Sequence, residues 1–92
     1  MDKNYSLDRL FDAILTLKTK DECSEFFADA CTPKELQAIA QRFTVAEMLY
    51  NKRFYSDIIE ETGASTATIS RVSRSINSGY KMAFERLKQS NG

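Results

Sequence analysis

Residues Tyr55 to Asn77 read YSDIIEETGASTATISRVSRSIN, and this segment restricts the fold more than any other. Its first part is a short helix candidate with an apolar face of Ile58, Ile59 and Thr62. Gly63-Ala64-Ser65 follows. A second helix candidate then places Ile69, Val72 and Ile76 on one side and Thr66, Ala67, Ser70, Arg71 and Arg74 on the other. Two helices that cross steeply need a tight joint, and glycine accepts the positive φ that such a joint demands. Ser65 or Thr66 can cap the new helix by accepting a hydrogen bond from a backbone N–H of its first turn. The pattern is that of a helix-turn-helix over about 55–77. Residues at the N-terminal end of its second helix reach base edges in the major groove. Duplex DNA is therefore the expected partner.

The rest of the chain also reads as helices with short joints, which makes the fold class all-α with about six helices. Leu7, Leu10, Phe11, Ile14, Leu15 and Leu17 recur at helical spacing over about 6–18, with Ser6 as cap. Thr19-Lys20-Asp21 interrupts the pattern. A second stripe of Cys23, Phe26, Phe27, Ala30 and Cys31 runs to about residue 31. Thr32-Pro33-Lys34-Glu35 is the clearest boundary: Thr32 at N-cap, proline where its missing N–H is harmless, and Glu35 three residues on form a capping box. The helix that follows reaches about Tyr50, with Leu36, Ile39, Ala40, Phe43, Ala46 or Val45, and Leu49 inward. Asn51-Lys52-Arg53 joins it to the helix-turn-helix. Ser78-Gly79 is expected to end the recognition helix. A last helix from Tyr80 to about Leu87 would bury Met82 or Ala83, Phe84 and Leu87, and Ser90-Asn91-Gly92 should fray. Residues 1–92 make a single small domain whose core is marginal alone. Phe11, Ile14, Leu15 and Leu17 with Phe26 and Phe27 serve either as an intramolecular core or as the seam of a homodimer. The dimer is preferred, because two related heads read two half-sites about one helical turn apart.

Charge is unevenly placed. The net charge is zero, yet residues 64–92 hold five basic side chains (Arg71, Arg74, Lys81, Arg86, Lys88) against Glu85, whereas residues 1–63 hold eight basic and twelve acidic ones. The positive end contains the expected recognition helix, and the negative end would face away from phosphate. Lys52 and Arg53 add phosphate-binding candidates before the motif. Cys23 and Cys31 have no histidine to share a metal with and read as buried, reduced thiols on one helix face. Nothing supplies a positioned acid, base or nucleophile, a phosphate loop or a metal cluster, so neither enzyme activity nor a cofactor is expected. Met1-Asp2-Lys3-Asn4 leads into no apolar run, and no stretch approaches a membrane span; the chain is read as cytoplasmic. Phe54 and Tyr55 are adjacent, which is not the layout of an RNA stacking platform.

From Thr32 to Ile76, through TPKELQAIAQRFTVAEML and then ETGASTATISRVSRSI, the chain resembles the bacterial Trp repressor superfamily. It is more similar still to the Trp repressor-like YerC/YecD family of Gram-positive bacteria. The resemblance covers essentially the whole chain, weakly before residue 30. It implies an all-α, intertwined homodimer that inserts two helix-turn-helix heads into successive major grooves and represses transcription. In the Trp repressor two arginines sandwich the indole of bound tryptophan, and the matching residues here are Arg42 and Arg71. Thr32, Thr68 and Ser75 fall at further ligand positions. A planar effector between two guanidinium faces would lock the head relative to the core. The chain departs from the pattern at Val72, which replaces a glycine and whose branched side chain would fill the indole slot. Asp29 and Cys31 replace two apolar positions of that pocket. The alternatives are a small effector that need not be tryptophan, or no effector, with Arg42 and Arg71 as surface or phosphate-binding arginines. Two basic family positions on the first helix of the motif correspond to Ser56 and Ile59, so those phosphate contacts are absent.

The resulting expectation is a sequence-specific, dimeric DNA-binding transcriptional regulator. Thr66, Ala67 and Ser70 face bases or a thymine methyl, and Arg71 and Arg74 reach guanine or phosphate. The alternative class is a protein-interaction module that uses the helix-turn-helix as scaffold, which the neutral net charge and acidic first half favour. Steep salt dependence of duplex binding separates the two.

Overall fold

The computed structural model describes residues 6–90. Among them are six α-helices and no strand: α1 (Leu7–Ile14), α2 (Lys20–Ala30), α3 (Pro33–Tyr50), α4 (Tyr55–Thr62), α5 (Thr66–Ser75) and α6 (Ser78–Ser90). The fold class is all-α, as expected. The reading of Met1–Asn4 and the fraying of Asn91 and Gly92 lie outside the described residues. Two compact units are formed, one up to Leu36 and one from Gln37 onward.

In the first unit, side-chain caps set where the helices begin. Ser6 Oγ accepts from the Arg9 N–H at 3.2 Å, and Thr19 Oγ1 accepts from the Glu22 N–H at 3.1 Å. Glu22 reaches back to the Lys18 N–H at 2.8 Å. Thr19-Lys20-Asp21 is thus a helix start rather than a mere interruption. α1 stops at Ile14, four residues before the expected end. There the Thr16 hydroxyl donates to the Ala13 carbonyl, and the Thr16 and Leu17 N–H groups take i−3 partners. These bonds tighten the last turn and stop it propagating. Neither α1 nor α2 has a buried residue, and Leu7, Phe11 and Leu15 are 63%, 51% and 83% exposed.

The cysteine reading is corrected. Cys23 is exposed and Cys31 half-buried, and both are free. Cys31 follows the end of α2 in extended backbone (φ −129°, ψ 148°), so it no longer shares the helical face of Cys23. The capping box at Thr32 forms as read: the Thr32 N–H donates to Glu35 Oε1 at 2.8 Å, and the Glu35 N–H to Thr32 Oγ1 at 3.1 Å.

The core lies in the second unit. Val45, Ala46 and Met48 of α3, Ile58 of α4, Ala64 of the turn, Ile69 and Val72 of α5 and Phe84 of α6 are all buried. α3 therefore buries its C-terminal half, not the longer stripe expected; Ile39 is 43% exposed and Ala40 is exposed too. Phe84 holds α6 down against two rings of α3, with Tyr80 of its own helix beside it. Its centroid is 5.2 Å from Phe43, 5.1 Å from Tyr50 and 5.8 Å from Tyr80, the last stacked at 12°. Lys88 Nζ lies over the Tyr50 ring at 5.2 Å, a cation–π contact.

Two boundaries near the C-terminus differ from expectation. α5 ends at Ser75, with Ile76 in extended backbone, and Ser78-Gly79 opens α6 instead of closing α5. The Asn77 side chain accepts from the Ser78 N–H at 3.0 Å, and Gly79 does not adopt a positive φ. The Asn77 carbonyl accepts from the Lys81 N–H at 3.2 Å, the first helical bond of α6, and the glycine is an ordinary helical residue. Ser90 closes α6 rather than fraying, with its hydroxyl donating to the Leu87 carbonyl. Met82 and Leu87 are 48% and 41% exposed, leaving Phe84 as the buried anchor of that helix.

Candidate nucleic-acid interface

The approach to the helix-turn-helix is fixed at the end of α3. The Arg53 N–H donates to the Met48 carbonyl and the Lys52 N–H to the Leu49 carbonyl, both at 3.0 Å. Lys52 has φ 61°. These two bonds around a left-handed residue are a Schellman closure, in which glycine is the residue normally found. α4 then starts without a side-chain cap. Ile58 is fully buried, while its neighbour Ile59 is 39% exposed, because adjacent residues on a helix point about 100° apart and only one can face the core.

The turn itself is held by backbone and side-chain bonds together. Gly63 has φ 71°, and its N–H donates to the Ile59 carbonyl at 2.9 Å. A Cβ at Gly63 would meet nothing within 4 Å, so the demand for glycine comes from backbone conformation and not from space. The Thr62 hydroxyl donates to the Ile58 carbonyl at 2.7 Å and accepts from the Ala64 N–H at 3.1 Å. Gln41 of α3 donates its amide to the Thr62 carbonyl at 3.1 Å. Ser65 is the cap of α5: its Oγ accepts from the Thr68 N–H at 3.1 Å and donates to Thr68 Oγ1 at 3.1 Å.

α5 buries Ile69 and Val72 and turns Thr66, Ala67, Arg71 and Arg74 to solvent, with Ser70 half-buried. The division of faces is the one read from the sequence, and the five DNA-facing candidates share the outer side of one helix. Lys52 is exposed. Arg53 is engaged within the chain, with Nη2 3.1 Å from Glu61 Oε1 and Nε 3.8 Å from Asp57 Oδ2. α4 carries three acidic side chains (Asp57, Glu60, Glu61) and no basic one, whereas α5 carries Arg71 and Arg74 and no acid. Ser56 is exposed beside Ile59, so the first helix of the motif offers a hydroxyl and an apolar surface where a phosphate contact would fall.

The effector candidates lie on several segments of the chain. Thr32 belongs to the first unit, and its N–H and hydroxyl are both occupied by Glu35. Arg42 and Arg71 are exposed on α3 and α5. Thr68 is tied to Ser65, and the Ser75 hydroxyl donates to the Val72 carbonyl at 3.0 Å. Val72 is 2% exposed within the core cluster. Asp29 is exposed. An open groove of about 400 Å³ between α3 and α4 is lined by Gln37, Ala38, Ala40, Gln41, Thr44, Glu61 and Thr62, and by none of the five effector candidates. Gln41 was not singled out from the sequence, and Thr62 was read only as part of the apolar face of the first helix. Thr62 had a local signal, being a hydroxyl residue just before the turn glycine; Gln41 had none, since its partner is 21 residues away.

A capped second helix behind a glycine turn, packed with a long helix in an all-α chain, is a helix-turn-helix arrangement. The profile of the Trp repressor protein family matches residues 5–91, and the chain belongs to that family. It is 53% identical over 90 residues to the uncharacterized protein YerC of Bacillus subtilis (strain 168), covering 95% of this chain and 86% of that one. The crystal structure of a TrpR-like protein from Eubacterium eligens ATCC 27750 superposes with a TM-score of 0.87 at 54% identity, over 94% of this chain and 92% of the other. A candidate Trp repressor from Staphylococcus aureus gives 0.84 at 50% identity, over 89% and 85%.

Proposed function

We propose that residues 1–92 act as a single domain that forms a homodimer and represses transcription by binding double-stranded DNA sequence-specifically in the cytoplasm. The observation that carries this reading is the outer face of α5, where Thr66, Ala67, Arg71 and Arg74 are exposed on a helix anchored by Ile69 and Val72. Thr66, Ala67 and Ser70 read base edges, Arg71 and Arg74 reach guanine or phosphate, and Lys52 and Arg53 contact the backbone. Dimerisation is supported by the apolar side chains that α1 and its C-cap leave exposed, Leu7, Leu10, Phe11 and Leu15. A hollow bordered by Leu17, Cys23, Phe27 and Leu36 adds a second apolar surface. A surface of this kind on a small chain marks an interaction site. The protein acts by binding and carries no catalytic step. Among the described residues no helix is long and apolar enough to cross a membrane.

A small effector, held by Thr32, Arg42, Thr68, Arg71 and Ser75 when the dimer is formed, adjusts the heads. It shifts the equilibrium only by its preference for the DNA-competent arrangement. Because Val72 is packed in the core and Asp29 carries a charge, the effector need not be tryptophan. Selection of the purified protein on a random duplex pool at near-physiological salt, with and without tryptophan, tests the proposal. A palindrome with half-sites about one helical turn apart is expected. Enrichment only with tryptophan would restore it as effector. Absence of enrichment in both arms, together with salt-independent association with protein partners, would favour the interaction-module reading.

A further inference from the structure

α4 is pinned at its far end. The last carbonyls of a helix have no intrahelical donor. The Thr62 carbonyl finds one in the Gln41 amide of α3, at 3.1 Å and in a half-buried setting. It is the longest-range side-chain hydrogen bond among the described residues. Thr62 also holds the turn from within, through its hydroxyl to the Ile58 carbonyl and the Ala64 N–H. One residue further on, the backbone swings through Gly63 into α5. The bond from Gln41 therefore ties the point at which the reading helix changes direction to the long helix that carries the core. The other tether on this part of α4, Arg53 to Glu61, is exposed and comes from the joint just before α4, not from α3. Gln41 is uncharged, and its amide is already committed to the turn.

We infer that Gln41 is a positioning residue for the reading head: through the Thr62 carbonyl it fixes the α4–α5 turn, and hence the direction of α5, against α3. The inference rests on the DNA-binding reading for its functional consequence but not for its structural one. A reading head must be held to within about 0.5 Å of its productive pose. A lost tether should thus weaken specific binding while leaving charge-driven binding alone.

The test compares wild type with Gln41→Met, which keeps the length and helix propensity of the side chain but has no donor. On the duplex that wild type selects from a random pool, Gln41→Met should bind about 3- to 10-fold more weakly, the range expected for one partly buried hydrogen bond. Affinity for an unrelated duplex and the slope of binding against salt should not change, because no charge is lost. Amide hydrogen exchange at Gly63 and Ala64 should quicken, and Gln41→Lys, which restores a donor of similar reach, should slow it again. Unaltered exchange in Gln41→Met overturns the inference whatever DNA does. An equal loss on both duplexes with a shallower salt slope also overturns it, since that is the signature of a direct backbone contact. Should wild type select no duplex, the functional proposal fails on its own, and the exchange arm still decides whether Gln41 holds the turn.

Discussion

Lys52 holds a conformation that its side chain opposes, and replacing it separates stability from DNA binding. At φ 61° it closes α3 through the bonds from the Lys52 and Arg53 N–H groups to Leu49 and Met48. A residue with a Cβ pays roughly 1–2 kcal/mol for the left-handed region. Glycine escapes that cost but loses about 0.5–1 kcal/mol more backbone entropy on folding than alanine. Lys52→Gly should therefore stabilise the fold by about 0.5–1 kcal/mol, which for a chain of this size raises Tm by roughly 2–8 °C. Lys52→Ala removes the same charge but keeps the strain, so its Tm should not rise. Scans are run at one protein concentration, because association shifts Tm. On DNA the two variants should behave alike, each lowering the salt slope by about 0.9 if Lys52 meets a phosphate. A Lys52→Gly protein no more stable than wild type, or a Lys52→Ala protein stabilised as much, would refute the strain argument. Different salt slopes for the two would refute the phosphate contact.

Phe84→Ala removes the ring that Phe43, Tyr50 and Tyr80 surround. It should cost about 3–5 kcal/mol by denaturant unfolding; a loss under about 1 kcal/mol would mean that α6 is not held there. The Thr32 N–H, and after it the Thr32 hydroxyl, hold the Glu35 carboxyl below its ordinary range. The capping box is then fully formed at neutral pH and lost as pH falls from the unfolded value, about 4.3, through the lowered folded one. Wild type should outlast Glu35→Gln in thermal melts at pH 7, and the gap should close as pH falls through and below the ordinary carboxylate range; a gap independent of pH contradicts the assignment. Glu61→Gln loosens the grip on Arg53 and removes a negative charge from α4, and duplex affinity should rise about 1.5- to 5-fold. No rise at low salt would count against Arg53 as a backbone contact. Arg74→Ala should weaken duplex binding and reduce the salt slope by about 0.9, with the sedimentation behaviour of the protein unchanged; wild-type affinity would displace α5 from the groove.

What could be read from the sequence was what depends on near neighbours. Thr32 with Glu35, Ser6 with Arg9, and Ser65 with Thr68 are all three residues apart, and each cap formed where the residue types placed it. Gly63 took its positive φ for the same local reason. Gly79 misled because glycine after a helix resembles glycine inside the next one, and here it lies within the first turn of α6. Which part of an apolar stripe becomes core was not legible. Ile39 and Met48 lie on one helix with similar hydrophobicity, but only the end carrying Met48 is covered by α4, α5 and α6. The left-handed Lys52 gave no signal either, because a Schellman closure without glycine is a tertiary compromise. Within the candidate site the outer face of α5 was plain from its period, whereas the Gln41–Thr62 bond and the Arg53–Glu61 pair depend on packing between separate helices.

The charge layout bears on how such a head would find its site. In a helix-turn-helix the first helix crosses the backbone and the second reads the groove. Here the first helix carries Asp57, Glu60 and Glu61, and an arginine partly answers two of them. Within the joint and the two helices of the motif, the cations available for phosphate are Lys52, Arg53 and the arginines of α5; Arg42 of α3 and Lys81, Arg86 and Lys88 of α6 lie outside it. With so few on the motif itself, counterion release there would supply little. On the proposed reading, binding would then depend more on base-edge contacts from Thr66, Ala67, Ser70 and Arg71, whose worth hinges on the angle at which α5 enters. That places the turn, and the bonds from Thr62 and Gln41 that hold it, where a small error costs most. It also gives an effector leverage: when phosphate attraction contributes little, a modest change in head orientation is a large fraction of the binding free energy.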